Sequence, residues 1–159
     1  MQPIEEAASD FLSLHRIAVT GVSRTPASHG ANVVFNRLRE RGYLVFAVNP
    51  NANEVEGAAA FHDLRSIPGG VDAVVIATRA ATALETMKEC DALGIKHVWL
   101  HRAFGQGSLS KEAVEFGRER GICVIDGGCP CMFGPASDPG HKVMKFVLEL
   151  TGKVPRQVS

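Results

Sequence analysis

Arg16-Ile17-Ala18-Val19-Thr20-Gly21-Val22-Ser23-Arg24 decides how the rest of the chain is read. Residues 16–20 form a short β-branched run with no polar alternation, the pattern of a strand buried on both faces. Gly21 ends it, and a polar loop, Gly21 to Gly30, leads into Asn32–Arg41, where Val33, Val34 and Leu38 return at helical spacing. Gly42 closes that helix in the usual C-terminal position. A second strand, Tyr43 to Val48, stops at Asn49-Pro50.

The same alternation continues to the end of the chain. Asp72–Ala77 is a strand, followed by a helix from Ala80 to Leu93 and a terminating Gly94. Lys96–Leu100 is a strand, followed by a helix from Ser110 to Arg120 and then Gly121. Ile122–Ile125 is a strand, and His141–Leu150 is a closing helix. Ile4 to Leu14 forms a short amphipathic helix before the first strand, and Ala58–Phe61 reads as a small extra strand. Short apolar strands alternating with helices predict a doubly wound, Rossmann-like parallel sheet with helices on both faces, here one domain over residues 1–159. Ligands of such sheets lie beyond the carboxyl ends of the strands, where the winding reverses. The loops after the strands are therefore the places to look for chemistry.

Bulk composition narrows the function. The 159 residues are 45% apolar and 21% charged, an ordinary globular balance. Lys plus Arg equals Asp plus Glu at 17 each, with no basic stripe, so a nucleic-acid partner is not expected. No run approaches the ~18 apolar residues of a membrane span. Met1 to Asp10 carries three acids and no base, unlike a signal peptide, so a cytoplasmic location without membrane contact is expected. Cys90, Cys123, Cys129 and Cys131 are expected to be reduced thiols, because a chain of this length needs no disulfide staples. For a metal, Cys129-Pro130-Cys131 has no second ligand pair at finger-like spacing, so no metal ligands are assigned.

The loop after the first strand suits a phosphate. Gly21 allows close backbone approach, and N–H groups at a helix start can hold anionic oxygens. Ser23 and Ser28 add hydroxyls, and Arg24 can make charge-assisted bonds. The dinucleotide fingerprint is broken, with Ser23 at the second glycine position and Pro26 near the third. Asn49-Pro50 stands where an NAD site would carry its acidic residue, and no Lys-Ser/Thr pair makes a P-loop.

Gly21-Val22-Ser23-Arg24, followed by Gly42-Tyr43 and Val48-Asn49-Pro50, resembles the small CoA-binding domain family. That family is similar to the nucleotide-binding domain at the start of the succinyl-CoA synthetase α subunit. Gly57, Asp72, Gly94 with Val98-Trp99, and Asp126 to Pro130 continue the likeness, which runs from about Arg16 to Met132. The resemblance implies coenzyme A or an acyl-CoA as ligand, with its phosphates at Gly21, Val22 and Ser23 and Arg24 beside them. It places Asn49 and Pro50 on the adenine and ribose side and Thr78-Arg79 on the opposing wall. Gly30, Asn32 and His101 complete the implied set; many relatives carry Gln where this chain continues into His101-Arg102.

No catalytic residue is assigned. The resembling synthetases use a phosphorylated histidine in a second domain, whereas His15, His29, His62, His97, His101 and His141 are scattered with no implied partner. Cys129, after Gly127-Gly128, reads either as a thiol facing the crevice, able to exchange with the CoA thiol, or as a small buried hydrophobe. The expectation is a binding module without chemistry of its own. An enzyme using an NADP-like cofactor and a synthetase subunit needing a partner chain remain alternatives, and self-association is left open.

Overall fold

The computed structural model describes residues 2–25, 30–102, 107–137, 139–150, 155 and 157–158. Its elements are β1 (Gln2–Pro3), α1 (Ile4–Leu12), β2 (Arg16–Thr20), α2 (Gly30–Glu40), β3 (Leu44–Val48), β4 (Glu54–Val55) and β5 (Ala58–Phe61). There follow β6 (Ala73–Ile76), α3 (Ala80–Ala92), β7 (His97–Leu100), α4 (Lys111–Glu119), β8 (Cys123–Asp126), α5 (Pro139–Leu150) and β9 (Gln157–Val158). The strands and helices expected from periodicity are present, with ends displaced by a residue or two.

Seven strands form one sheet in the order β4-β5-β3-β2-β6-β7-β8, all parallel except β4. The chain starts in the middle at β2, winds outward through β3 and β5, then returns to β6 and winds the other way. The doubly wound fold is therefore as expected, and its winding reverses between β2 and β6. Among the described residues no helix is long and apolar enough to cross a membrane.

The two-residue period of the strands divides the core. Ile17 and Val19, Ala73 and Val75, Trp99 and Ile125 face the layer of α1, α2 and α5. Ala18, Val74 and Ile76, Val98 and Leu100, and Val124 face α3 and α4. Each strand thus supplies both cores, which is why no strand alternates with polar residues. Helix α1 buries Ile4, Ala7, Ala8 and Phe11, and Phe11 meets Trp99 edge-on with ring centroids 5.4 Å apart. The Trp99 indole N–H donates to the Gly127 carbonyl at 2.8 Å, so the largest core residue also fixes the loop after β8.

The small strand expected at Ala58–Phe61 is β5, but its antiparallel partner β4, two residues long, was not expected. The turn between them, Glu56-Gly57, has φ of +51° and +71°, positive at both central positions as in a type I′ turn. Glu56 occupies a place usually taken by Asn or Asp. It is held there from outside the hairpin: Asn32 Nδ2 donates to Glu56 Oε1 at 2.9 Å, and Arg39 donates to the Glu56 carbonyl at 3.0 Å.

Candidate functional site

Where β2 and β6 part, the structure opens a crevice of about 410 Å³. Its wall combines the ends of β2 and β3 with the segment after β5 and one face of α3. The volume falls within the ~300–1,000 Å³ of ordinary small-molecule sites.

Close contact between the exits of β2 and β6 begins at Gly21. Its φ is +80°, and a Cβ built there would lie 2.7 Å from the Ala77 carbonyl oxygen. The Thr20 hydroxyl accepts the Ala77 N–H at 3.1 Å and joins the same two strand ends. Asn49 ties in the third exit: its Nδ2 donates to the Val22 carbonyl at 2.9 Å, while Oδ1 accepts from Asn51 N–H at 2.8 Å. The floor of the crevice is therefore braced before any ligand is present.

Five residues proposed from the sequence, Gly21, Ser23, Asn49, Pro50 and Thr78, line this crevice together. The others are placed differently. Val22 is fully buried below the loop, and Arg24 is exposed beyond it with no ion pair among the described residues. Arg79 is exposed and precedes α3 as its N-cap. Asn32 is 1% exposed and lies behind the loop, where its Oδ1 accepts Ser23 N–H and its Nδ2 donates to Ser23 O, both at 2.8 Å.

That clamp changes the expected phosphate cradle. The Gly21 N–H donates to Val48 O at 3.2 Å and the Ser23 N–H to Asn32, so neither is free at the helix start. Among the described residues, the Val22 and Arg24 N–H groups have no partner. Ser28, Pro26 and His29 lie outside the described residues.

His101 sits at the start of α2, its ring 3.0 Å from where a Cβ on Gly30 would stand. Burial, reinforced by the charge of His141, pushes its pKa down to about 4. At neutral pH His101 is therefore an uncharged hydrogen-bonding group rather than a cation for a phosphate.

The structure adds crevice residues that sequence reading did not single out: Thr20, Val48, His62, Asp63, Thr82, Thr86 and Glu89. Thr82, Thr86 and Glu89 stand at positions i, i+4 and i+7 of α3, one stripe of the helix. Asp63 brings in a carboxylate from the end of β5, although none stands at the end of β3. Its pKa is lowered chiefly by hydrogen bonds from Ser66, with Ser66 N–H at 2.8 Å. Thr78 lines the crevice, but its Oγ1 is buried and has no hydrogen-bond partner among the described residues, so the residue meets the open space through its other atoms.

Cys129 does not line the crevice; it is 2% exposed and belongs to the core on the α1–α2 side. Of its two sequence readings, the structure supports the buried one.

Comparison with known proteins shows the family of the chain and relatives of its fold. Residues 15–135 match the CoA binding domain family. The α subunit of an ADP-forming acetate–CoA ligase II from Pyrococcus furiosus is 32% identical over 125 residues, which are 75% of this chain and 27% of that subunit. The chain thus spans about a quarter of that relative. Bacillus subtilis YneT is 29% identical over 110 residues, covering 69% of this chain and 78% of YneT. A solved Pyrococcus horikoshii protein superposes with a TM-score of 0.73 at 27% identity, covering 82% of this chain and 92% of that one.

Proposed function

The chain belongs to the CoA binding domain family, and we propose that it holds coenzyme A or an acyl-CoA in the crevice between β2 and β6, without chemistry of its own. The observation that carries this reading is the convergence of Gly21, Ser23, Asn49, Pro50 and Thr78 on one crevice where the winding of the sheet reverses. Gly21 and Ser23, with the Val22 N–H, which has no partner among the described residues, would meet the phosphates. Asn49 and Pro50 would meet the adenosine side, and Thr78 the facing wall. Arg79 and the neutral His101 would act from the rim and from the α2 start.

A ligand that binds only the folded state raises stability by RT ln(1 + [L]/Kd). Coenzyme A at 100 times its Kd is expected to add about 2.7 kcal/mol, raising the melting temperature by several degrees. NAD at the same concentration should do much less, since Asn49 stands where its ribose carboxylate belongs. Asp63 makes this a real contest, because it supplies a carboxylate from the neighbouring strand end. Tighter binding of NAD than of coenzyme A in a calorimetric titration would overturn the reading.

Arg24 is expected to contribute through charge. Removing one charge-assisted bond should weaken coenzyme A binding about 10- to 100-fold in Arg24→Ala, less at high salt because the side chain is exposed. Dephospho-CoA locates the contact. If Arg24 meets the 3′-phosphate, the variant binds both ligands about equally; if it meets the pyrophosphate, both weaken together. Unchanged affinity would leave the loop acting through its backbone alone.

A second reading has one observation behind it. The Pyrococcus furiosus relative is a ligase subunit, so this chain could act as the CoA-holding part of an assembly with a separate catalytic chain. Binding of coenzyme A by the isolated chain at micromolar concentration favours the stand-alone module. Binding only after a partner is added favours the subunit.

A further inference from the structure

Cys129 and Cys131 are separated by one residue, a spacing that by itself holds nothing. The intervening backbone changes that. Cys129 is extended, and Pro130–Met132 turns as one 3₁₀ step, so both thiols serve one small space. His141, the third residue of α5, enters the same space from a segment ten residues later. The two sulfur atoms and a ring nitrogen of His141 all lie within 4.8 Å of one another.

From this cluster we infer a mononuclear site for a soft divalent cation, with zinc as the ion it fits, bound by Cys129 Sγ, Cys131 Sγ and a His141 ring nitrogen. In tetrahedral zinc sites, Zn–S of ~2.3 Å and Zn–N of ~2.0–2.1 Å set donor atoms about 3.4–3.8 Å apart. The observed spacing closes onto such an ion with movements of about 1 Å or less. Two thiolates and an imidazole select zinc over the oxygen-seeking magnesium and calcium.

The surroundings support a fixed site. Cys129 and Cys131 are 2% and 0% exposed, with Met132 and Phe133 buried beside them. The Phe133 ring lies 5.4 Å from Trp99, whose N–H holds the Gly127 carbonyl just before the first ligand. On the other side, Leu148 is buried in the core and Met144 packs against it, setting α5 and with it His141. Among the described residues no fourth His, Cys, Asp or Glu joins the group. Uptake of one Zn²⁺ releases one proton from each thiol and leaves the imidazole neutral, with no change of oxidation state. The bound ion ties α5 to the turn after β8.

This inference does not depend on what occupies the crevice. Full-length protein, purified under reducing conditions and freed of metal, is titrated with Zn²⁺ and then with Co²⁺ as the spectroscopic probe. One equivalent of either ion is expected to bind, Co²⁺ with thiolate charge-transfer and tetrahedral d–d bands, and Zn²⁺ should raise the melting temperature. Cys129→Ser, Cys131→Ser and His141→Gln should each weaken binding more than ~100-fold, above the ~10–100-fold expected for an outer-shell partner. Cys90→Ser and Cys123→Ser should bind as the parent does. His141→Gln replaces a partly exposed helical residue, so it remains informative if a buried cysteine variant fails to fold. Three results would overturn the site: no stoichiometric uptake, equal loss in the Cys90 and Cys123 variants, or a Cys129–Cys131 disulfide whose reduction restores no metal binding.

Discussion

Gly21→Ala is expected to lower stability by roughly 2–5 kcal/mol, and by more than any other single-methyl change at the crevice. Two costs add. At φ +80° an alanine enters the left-handed region, costing about 1–2 kcal/mol. The new Cβ would also stand 2.7 Å from the Ala77 oxygen and 3.0 Å from the Ala77 carbonyl carbon. Both are backbone atoms at the end of β6, next to β2 in the centre of the sheet, so no side chain can swing aside. Overpacking of that kind costs about 1–3 kcal/mol or more. Gly42→Ala separates the two terms, because Gly42 has φ +89° but nothing within 4 Å of its added Cβ. Urea denaturation of both variants should show Gly42→Ala losing only the conformational part. Equal losses in the two would mean that the approach of β2 to β6 is not felt. Coenzyme A affinity should fall in Gly21→Ala and hold in Gly42→Ala, since only the first moves the crevice floor.

The fold was legible because each central strand is buried on both faces and flanked by helices of opposite layers. A run such as Asp72–Ala77 has no other soluble reading at that length, and glycine stops divide the units. Strand β5 was legible, but its partner β4 was hidden: it is two residues long, and beside Gly57 the turn places Glu56, held by Asn32 and Arg39, 24 and 17 residues earlier, rather than the usual Asn or Asp. The crevice was legible by half for a related reason. Loops after β2, β3 and β6 are named by topology, which yields Gly21, Ser23, Asn49, Pro50 and Thr78. The other half comes from α3, whose Thr82, Thr86 and Glu89 read as an ordinary solvated stripe until the helix is laid over the strand ends. Their spacing, directly after Thr78-Arg79, was the available signal. His62 and Asp63 needed the position of β5, and His141 needed the packing of α5. Spacing along the chain encodes neither.

Asn32→Ala is the second change with a large expected effect, and it tests whether the phosphate loop is braced from behind. Asn32 is 1% exposed and makes three hydrogen bonds: it accepts Ser23 N–H and donates to Ser23 O and Glu56 Oε1. Alanine leaves both Ser23 backbone groups without their partner. A buried group left unpaired costs about 1–3 kcal/mol, and Ser23 is half-buried, so the loss should total roughly 2–4 kcal/mol. The same change releases Glu56. Its carboxyl is held below the usual range, first by the Asn32 hydrogen bond and then by one from Asn36. A depressed carboxyl pKa contributes stability above the unfolded value, and that contribution fades as pH falls through the folded value. The parent's advantage over Asn32→Ala should therefore narrow on acidification from neutral pH. Asn32→Asp keeps an acceptor for Ser23 N–H but sets a carboxylate against both the Ser23 carbonyl and Glu56, and pairing it with Glu56→Gln restores a donor on the Glu56 side alone. Partial recovery in that double variant, with recovery of coenzyme A affinity, is the expected result. If Asn32→Ala matches the parent in urea, at neutral pH and in acid, the Asn32 clamp does not hold the loop.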